Sequence, residues 1–508
     1  MNTRRHAVLL SLLTLLLVGC GGSSSRPPPP PPQDFSISLA QTAVTVGVGD
    51  TSPVVTVSAT GINGFTSAIS VEIAGLPPDA TTSPASPFSL SAGNALNVTL
   101  TIPTDAVGGT NVVTFRASSG SLSHSANLPL TIVPCLTGGN EQAIQHALDS
   151  AAGFADLCPA AEFTISGSIN MGSSFSTGTR IFTAGYPSVL AQKALIRIAD
   201  HSDSWPDGPG PAGWGTPIID AIGDDISIRN VRLDGNRANN LYKAWSTLIS
   251  LSGRRITIDS IYAVSPLGRP GILANSIDCS DLTLTNSFIG SVGSHIVATP
   301  ADPVTWGDGV QIGCDHAYIA HNEIRDATDV GLMLFRGANS TFEFNRIENW
   351  ASSAFGGLGA DPEEAQDANG HALTTPWDFS GTVMRNNTVE TCCGQHIHVA
   401  LAVGVHLWCD TPSDGPTCAY GTGLTYIDNE ADGLFGYGLY VGGMSNVVVT
   451  GNVVTMTPLT WINCYAPDQN FYVLDHATGT FQGGYVDRTP LHSPCLGPTG
   501  PDEAPFYP

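Results

Sequence analysis

The second half of the chain consists of short runs in which apolar and polar residues alternate. The stretch 318–334 (YIAHNEIRDATDVGLML) shows the unit: an alternating run, an Asn, a polar turn, then Gly and a second apolar run. Such runs are four to six residues long, rich in Val, Ile, Leu, Thr and Phe, and separated by Gly, Asn, Asp and Ser. A period of two bounded by turn residues predicts short β-strands joined by tight turns.

The unit repeats along the chain. An Asn followed two positions later by an apolar residue marks copies at Asn286, Asn322, Asn345, Asn387 and Asn452, with a weaker copy at Asn429 and degenerate ones at Asn230 and Ser260. From residue 286 the intervals are 36, 23, 42, 42 and 23 residues. A base unit near 23 with insertions predicts a solenoid, whose coils must stack through parallel strands to bury their apolar faces. We expect the Asn residues to stack at a bend, in the left-handed conformation, and to bond one another.

With this repeat, residues 135–470 resemble the right-handed parallel β-helix proteins of the pectate-lyase-like fold. The resemblance implies an all-β chain: a right-handed parallel β-helix solenoid preceded by a small immunoglobulin-like β-sandwich. A fold of this kind does not specify chemistry, because activity depends on particular side chains.

The N-terminus has the features of an export signal. In residues 1–20, Arg4 and Arg5 precede an apolar run that is too short to span a membrane. Residues 17–20 (LVGC) resemble a bacterial lipobox, which implies a lipidated Cys20 and an exported protein attached to the outer membrane or cell surface through that lipid alone; an ordinary signal peptide is the alternative. Residues 21–33, Gly/Ser-rich with six prolines (27–32), predict a stiff tether.

Two domains are predicted after the tether. Residues 34–133 contain short alternating runs at roughly ten-residue spacing, which predicts a β-sandwich. This segment resembles the immunoglobulin-like modules of bacterial surface proteins, where they act mostly as spacers, with sugar binding as the alternative. Residues 134–508 are predicted to form the β-helix. Its first element is a helix within 140–153, with Asn140 as N-cap, that we expect to cover the open end of the first coil.

The cysteine pattern predicts disulfides. Eleven Cys less Cys20 leave an even number, as suits an exported protein. Cys279 and Cys314 lie seven and eight residues before Asn286 and Asn322, so adjacent coils would place them about 5 Å apart. The adjacent Cys392 and Cys393 remain, and a zinc site, which no CxxC spacing supports, is the alternative. The predicted pairs are Cys135 with Cys158, Cys279 with Cys314, Cys409 with Cys418, and Cys464 with Cys495.

The charge narrows the choice of ligand. The net charge is −24, and the chain contains two lysines, Lys193 and Lys243. Such a surface is a poor partner for nucleic acid or acidic polymers. A lyase acting on uronate polymers would have to stabilise a carbanion with calcium, Arg or His. Glycoside hydrolysis needs a pair of carboxyl groups and no cofactor.

Candidate chemistry lies on the second strand of the unit. Aligning 307–312, 329–334, 394–399 and 437–442 places Gln311, Met333, His398 and Tyr440 outward. Asp308 and Asp329 would then lie on neighbouring coils, and their crowding would raise one pKa, as a general acid requires. Taken singly, an Asp of this kind is more often a turn residue. The predicted catalytic residues are Asp308, Asp329, His396 and His398, and the predicted substrate-binding residues are Gln311, Tyr440, Trp306, Arg336 and Trp377.

The long insertion at 350–382 carries acidic residues that could bind calcium, although a solvated acidic loop is the alternative. They are Asp361, Glu363, Glu364, Asp367 and His371.

The function predicted from these features is glycoside hydrolysis of an extended polysaccharide by a monomeric surface protein. The phrase WGDGVQI (306–312) resembles strand starts of β-helical glycosidases and phage tailspikes, whereas the paired-Asp and Gly-His-Gly motifs of polygalacturonases and the Asp-Pro-His-Glu motif of alginate epimerases are absent. The alternatives are a calcium-dependent polysaccharide lyase and a non-catalytic adhesin or glycan-binding rod.

Overall fold

The structure of the protein is a computed structural model. It describes residues 29–172, 178–202, 205, 216–243, 246–274, 278–294, 305–362, 377–404, 421–442, 444–458, 472–473 and 477–482. Cys20, most of the predicted tether, four of the calcium candidates (Glu363, Glu364, Asp367, His371) and the predicted pairs Cys409–Cys418 and Cys464–Cys495 lie outside these residues.

The first part of the chain is a β-sandwich of two sheets. One sheet has the strand order β1-β3-β7-β5 and the other β2-β9-β8-β4-β6. Alternate residues of each strand face inward and form one apolar core that includes Phe35, Val57 and Phe115. The strands are β1 (Asp34–Leu39), β2 (Val44–Gly47), β3 (Val55–Ile62), β4 (Ala68–Ala74), β5 (Thr81–Ser83), β6 (Phe88–Ser91), β7 (Ala95–Thr101), β8 (Gly109–Ser119) and β9 (Leu122–Val133).

One α-helix, α1 (Glu141–Leu148), follows the sandwich. The side chain of Asn140 caps it by accepting a hydrogen bond from the Ala143 N–H at 3.3 Å. Ile144 and Leu148 are buried in the apolar core of the solenoid, so the helix covers its first coil. The helix ends five residues before Gly153, earlier than predicted, because the chain must already turn into the first strand at Phe154.

The rest of the described chain is a right-handed parallel β-helix. Short strands follow one another around each coil. Two short 3-10 helices, Leu190–Gln192 and Arg237–Asn239, lie between strands in the first part of the solenoid. They are β10 (Phe154–Leu157), β11 (Glu162–Ile165), β12 (Ile169–Met171), β13 (Arg180–Thr183), β14 (Ala194–Ile198), β15 (Ile219–Ile222), β16 (Ser227–Arg229), β17 (Val231–Asp234), β18 (Ile249–Ser252), β19 (Thr257–Asp259), β20 (Tyr262–Val264), β21 (Ile272–Ala274), β22 (Thr283–Thr285), β23 (Phe288–Val292), β24 (Val310–Gly313), β25 (Tyr318–Ala320), β26 (Glu323–Ala327), β27 (Val330–Arg336), β28 (Thr341–Glu343), β29 (Arg346–Asn349), β30 (Ala354–Ala360), β31 (Trp377–Asp378), β32 (Val383–Arg385), β33 (Thr388–Thr391), β34 (Ile397–Val403), β35 (Gly421–Thr422), β36 (Thr425–Ile427), β37 (Glu430–Val441), β38 (Met444–Ser445), β39 (Val447–Thr450), β40 (Val453–Pro458), β41 (Tyr472–Val473) and β42 (Gly479–Phe481).

These strands form three long parallel ladders around one core. Sheet 1 contains eleven strands, from β10 to β42. Sheet 2 runs from β11 to β40 and sheet 3 from β12 to β41, and β37 is long enough to belong to both. A short ladder of β31, β35 and β38 lies beside them. Inward residues of successive coils stack on one another, as Ile289, Ile324, Ile347 and Val389 do in sheet 2, and build a continuous apolar core.

The predicted Asn ladder is confirmed from Asn322 to Asn452. The Nδ2 of Asn322 donates to Oδ1 of Asn345 at 2.9 Å, and the same bond joins Asn345 to Asn387 at 2.9 Å, Asn387 to Asn429 at 2.8 Å, and Asn429 to Asn452 at 3.0 Å. All five side chains are buried. Water cannot reach these buried amide groups. Each Asn therefore forms its hydrogen bonds with the Asn of the next coil, and these bonds join the coils.

Two details of the ladder differ from the prediction. The left-handed residue is the one before each ladder Asn, for example His321 (φ 58°) and Phe344 (φ 55°). Asn286 is itself such a left-handed residue (φ 52°) and not a member of the ladder. Ser287 takes the ladder position, since its backbone N–H donates to Oδ1 of Asn322 at 3.1 Å. The apparent repeat was therefore one residue out of step at that copy.

The structure joins Cys135 to Cys158 and Cys279 to Cys314, as predicted. The second of these links two successive coils next to sheet 1. Cys392 and Cys393, which the sequence left without a partner, are joined to each other.

The sandwich packs directly on the first coils. Ala184 of the β-helix is buried in the sandwich core. Nη1 of Arg180 lies 2.9 Å from Oδ2 of Asp50, and the Tyr186 hydroxyl donates to Oδ1 of Asp50 at 3.3 Å. Asp156, on the first strand of sheet 1, is buried beside this pair. The junction between the two parts is therefore a packed and charged interface.

Candidate functional site

The outer surface of sheet 3 is the face on which the predicted site residues were expected to align. The register places Gln311, Met333, Gly359, Ala402 and Tyr440 in one column across successive coils. The predicted alignment is correct for Gln311, Met333 and Tyr440. The predicted alignment is wrong for His398, because Ala402 occupies its expected place in the column. It also omitted one coil: β30, which contributes Gly359, lies in a segment that had been assigned to an insertion.

Asp308 lies at the turn from sheet 2 to sheet 3, which we name the 2–3 corner. Its residue is 5% exposed. Oδ1 accepts the backbone N–H of Val330 on the next coil at 2.8 Å, and Oδ2 accepts the side-chain amide of Gln311. The carboxylate therefore fastens one coil to the next and holds Gln311 at the same time.

Asp329 occupies the 2–3 corner of the next coil. Its backbone N–H donates to the Gly307 carbonyl at 3.1 Å, so the two aspartates lie on adjacent coils and are offset by one residue. Adjacent parallel strands are about 4.8 Å apart. Asp329 is half-buried, more open to solvent than Asp308. The structure thus places Asp308 and Asp329 on adjacent coils, as predicted.

The predicted histidines lie further along the same corner. In the register Asp329 precedes Phe355, and Phe355 precedes His398, one coil at a time. The rings of Phe355 and His398 stack with centroids 5.5 Å apart. His398 is buried and also lies beside Tyr437, with centroids 5.9 Å apart. One coil, carrying Phe355, therefore separates His398 from the aspartates.

His396 contacts a serine that the sequence analysis had not identified. Its Nδ1 lies 2.9 Å from the Ser353 hydroxyl, which also donates to Oε1 of Gln395 at 3.0 Å. Burial lowers the pKa of His396, so the imidazole is mostly neutral at neutral pH. Ser353 could have been found from the 23-residue interval. Counted on from the corner at Asp329, this interval places the next corner immediately before Ser353.

Apolar side chains cover much of sheet 3 between these polar groups. Val330, Met333, Phe335 and Phe355 form a small cluster that is separate from the main core, with Trp306 packed against it. The rings of Trp306 and Phe355 meet edge to face at 6.3 Å. The four cluster residues are buried and Trp306 is half-buried, so within this group it is the Trp306 ring that a ligand could contact.

The remaining predicted binding residues differ in exposure. Tyr440 is fully buried, which excludes direct contact between its ring and a ligand in this conformation. Arg336 and Trp377 are half-buried, and the guanidinium lies 5.6 Å from the ring centroid. Burial lowers the pKa of Arg336, while Asp315 and Asp278 oppose that change. Asp361, at the end of β30, is fully buried.

A further carboxyl group lies on the same face. Asp220 shares the column of Gln311, three coils closer to the N-terminus, and is 4% exposed. Burial raises its pKa to about 6. Sequence analysis missed Asp220 because the repeat is degenerate before residue 260.

The outer face of sheet 2 also carries aromatic side chains, but their faces are occupied. Tyr262 and Phe288 of adjacent coils stack with centroids 4.7 Å apart and planes 10° from parallel. Arg325 lies 3.8 Å from the Trp350 centroid and 5.6 Å from that of Phe288. Rings stacked along the solenoid axis present only edges to solvent, so we assign this row to coil packing.

Neither a metal site nor a membrane span is evident in the described part of the chain. There, no three His, Cys, Asp or Glu side chains converge as metal ligands would. None of the helices found in the described ranges is long and apolar enough to cross a membrane.

Comparison with known proteins assigns no family to the chain. No protein-family model and no curated protein matches it. Among solved structures, the chain is similar to the A-module of a mannuronan C-5 epimerase from Azotobacter vinelandii (14% identity, TM-score 0.32, covering 69% of this chain and 98% of that one). It is also similar to a surface protein and adhesin of Streptococcus pneumoniae (8% identity, TM-score 0.36, covering 67% and 95%). Neither similarity bears on the activity of this chain.

Proposed function

We propose that this protein is an exported carbohydrate-active β-helix that hydrolyses an extended polysaccharide, with Asp308 and Asp329 as its carboxyl pair. The observation that carries the proposal is the position of the two groups: adjacent coils, the same corner, beside the aromatic cluster of sheet 3. Paired carboxyl groups are the minimal machinery of glycoside hydrolysis, one as acid and one as base or nucleophile.

The different surroundings of the two aspartates suggest their roles. Asp308 accepts two hydrogen bonds, from Val330 and Gln311, as suits a carboxylate that acts as base or nucleophile. Asp329 is the more exposed and is the candidate acid that protonates the leaving oxygen. His396 and His398 lie beyond Phe355, so neither is the group that transfers the proton. Half-buried His396 would bind a neighbouring sugar, and buried His398 would hold the rings of Phe355 and Tyr437 in place.

Substrate binding would involve the predicted polar and aromatic groups of the same face. Trp306 and Trp377 offer ring surface for sugars, and Gln311 and Arg336 offer donors. Tyr440 lies in the same column as Gln311 and is fully buried, so it would not contact the substrate directly. The net charge of −24 favours a neutral polysaccharide over an acidic one.

Binding without catalysis is the second candidate, and one observation favours it. Both oxygens of Asp308 already serve the fold, one on the Val330 amide and one on Gln311. A carboxylate used in this way can be purely structural. In that case sheet 3 would bind a glycan and release no product.

The test is a panel of polysaccharides incubated with the chain from Gly21 onward. Reducing ends report hydrolysis, and the ultraviolet absorbance of unsaturated ends reports a lyase; each is measured with calcium and with EDTA. We expect reducing ends alone, unaffected by EDTA, and a fall in kcat of about 10²–10⁴-fold in Asp308→Asn and Asp329→Asn.

Asp432→Asn is the matched control, because Asp432 is an exposed carboxylate on sheet 2 and should leave the rate unchanged. Calcium-dependent unsaturated ends would replace the proposal with a lyase. Binding that persists in both variants, with no product from the parent chain, would replace it with a glycan-binding protein.

Surface attachment through Cys20 is part of the proposal. Incorporation of labelled fatty acid into the full-length chain, and its loss in Cys20→Ser, would be expected. Release of an unlabelled, freely secreted chain would contradict the anchor.

A further inference from the structure

The disulfide between Cys392 and Cys393 lies in the turn that enters the candidate site. The turn connects β33 (Thr388–Thr391) of sheet 2 to β34 (Ile397–Val403) of sheet 3, at the same 2–3 corner as Asp308 and Asp329. Both cysteines are exposed. By contrast, Cys279 and Cys314 of the inter-coil disulfide are 3% and 0% exposed.

The backbone of this turn is tight and left-handed. The Gln395 N–H donates to the Cys392 carbonyl at 3.0 Å, which closes a four-residue turn. Its two central residues, Cys393 and Gly394, have φ of 64° and 88°. Glycine adopts such angles freely, whereas a residue with a side chain does so only when its surroundings hold it there. At Cys393 two features act on the turn: the Gln395–Cys392 hydrogen bond and the covalent link to Cys392.

The turn also positions two contacts of His396. Ser353 on the preceding coil meets Oε1 of Gln395 at 3.0 Å and Nδ1 of His396 at 2.9 Å. The Ser353 hydroxyl also accepts the backbone N–H of His396 at 3.3 Å, and the backbone carbonyl of His396 accepts the backbone N–H of Ala354 at 2.9 Å. A change in the conformation of the turn would therefore change the hydrogen bonds between His396 and Ser353.

Adjacency and exposure make this the disulfide most open to reduction among the three that the described residues contain. The Cα atoms of Cys392 and Cys393 are 3.8 Å apart, as for any trans-linked neighbours. Disulfides usually join Cα atoms roughly 4.4–6.8 Å apart, and strained or exposed disulfides are the labile ones. The Cys279–Cys314 disulfide, with Cα atoms 4.6 Å apart and buried sulfurs, has neither property.

We propose that Cys392–Cys393 is a thiol–disulfide switch that sets the position of His396 against Ser353. An external dithiol supplies two electrons and two protons: its two thiols become a disulfide, and Cys392 and Cys393 become two thiols. Without the link, Cys393 leaves the left-handed conformation, the turn opens and His396 separates from Ser353. The switch acts on the corner that the proposed function uses, but its test needs no substrate.

The first measurement follows reduction of the chain from Gly21 onward with graded dithiothreitol, alkylation of the thiols and mass spectrometry of the peptides. We expect Cys392 and Cys393 to be half-labelled at a dithiothreitol concentration about tenfold or more below that needed for Cys279 and Cys314. Labelling of both pairs at the same concentration would overturn the proposal.

The second measurement follows the His396 imidazole by NMR as a function of pH. Burial lowers the pKa of His396. We expect reduction, which opens the turn, to raise this pKa toward 6.5, and Cys392→Ser/Cys393→Ser to show the raised value with or without dithiothreitol. Ser353→Ala is the second variant. It keeps the disulfide and removes only the hydroxyl that contacts Nδ1 of His396, so its His396 titration shows the effect of losing that contact without opening the turn. A His396 titration that is the same in oxidised and reduced protein would show the disulfide to be structural only. Neither readout depends on polysaccharide cleavage, so the switch and the proposed function can fail separately.

Discussion

The side chain of Asn345 makes four hydrogen bonds at a site that is 1% exposed. Its Nδ2 donates to Oδ1 of Asn387 and to the Ile319 carbonyl, and its Oδ1 accepts both the backbone and the side-chain N–H of Asn322. An Asn here therefore satisfies the backbone of neighbouring coils, which no apolar residue could do.

Replacing this side chain should be costly. Asn345→Ala leaves the Asn322 amide without an acceptor in a buried site, and we expect the free energy of unfolding to fall by about 2–4 kcal/mol. Asn170→Ala, on an exposed position of β12, is the control and should change stability by less than about 0.5 kcal/mol. Urea unfolding followed by circular dichroism measures both. Equal effects of the two changes would show that the ladder contributes nothing beyond an exposed Asn.

The carboxyl group of Asp156 titrates far from its ordinary range. Burial raises its pKa to about 8, nearby Asp50 adds to the rise, and Arg180 and the Val48 amide oppose it. Between its ordinary value of 3.8 and about 8, folded protein holds a proton that unfolded chain releases. Stability therefore falls as pH rises through this window and is least affected at its acid end.

Asp156→Asn should remove this pH dependence, because the amide resembles the protonated carboxyl and cannot ionise. We expect the variant to gain on the order of 3–5 kcal/mol relative to the parent at pH about 8, and far less at pH about 4. Thermal unfolding of both proteins across this range provides the measurement. A gain that is independent of pH would mean that the carboxyl is already ionised at pH about 4 in the folded protein.

At the scale of elements, the 2–3 corner depends on residues without side chains. A Cβ on Gly331 would lie 2.3 Å from Cγ2 of Ile347, and one on Gly357 would lie 2.4 Å from the Ala400 carbonyl oxygen. These glycines therefore allow sheet 3 to approach the inward side chains of sheet 2 and the backbone of the next coil closely.

Gly331→Ala should therefore overpack the corner and destabilise the β-helix by about 1–3 kcal/mol. Gly167→Ala is the control, since a Cβ there would approach nothing closer than 3.8 Å and its φ is not left-handed. Melting temperatures of the two variants test the difference. Equal melting temperatures for Gly331→Ala and Gly167→Ala would show that the corner accommodates the added methyl group without overpacking.

At the scale of the molecule, the sandwich and the β-helix share buried apolar surface and an ion pair whose carboxylate is buried and whose guanidinium is partly exposed. Asp50 is 6% exposed, and Arg180 bonds it across the junction. Asp156 lies beside them, but its raised pKa of about 8 keeps its carboxyl protonated at neutral pH, so Arg180 compensates the charge of Asp50. The Arg180–Asp50 pair and the buried Ala184 therefore both hold the two parts together.

Arg180→Gln should weaken this junction, because it leaves Asp50 buried without its cation. We expect a loss of about 2–3 kcal/mol and faster proteolytic cleavage near residue 134. Arg254→Gln, which breaks the exposed pair with Asp224, is the control and should leave both readouts unchanged. Unaltered cleavage in Arg180→Gln would show that apolar packing alone holds the junction.

The alternation of apolar residues, the Asn repeat and the cysteine spacing were enough to predict the solenoid, the N-cap at Asn140 and the disulfides Cys135–Cys158 and Cys279–Cys314. Each depends on local pattern or on neighbours one coil apart, and both are visible in a linear sequence. The pattern also placed Asp308 and Asp329 on adjacent coils. It could not show that Ser287 replaces Asn286, because one residue of slippage leaves the apolar spacing almost intact.

Which outward residues share a column, and which of them are covered, depends on how the coils pack on one another. The glycine-rich strand β30 (Ala354–Ala360) has too few side chains for a period-two pattern, so its coil was missed and His398 was misaligned. Burial of Tyr440, contact of Ser353 with His396 and the crowded carboxyl of Asp156 all arise from residues far apart in the chain. The repeat and its core can be predicted from the linear pattern because one side of every strand must be apolar. The site cannot, because the other side of each strand is free to vary and its neighbours are set by packing between coils.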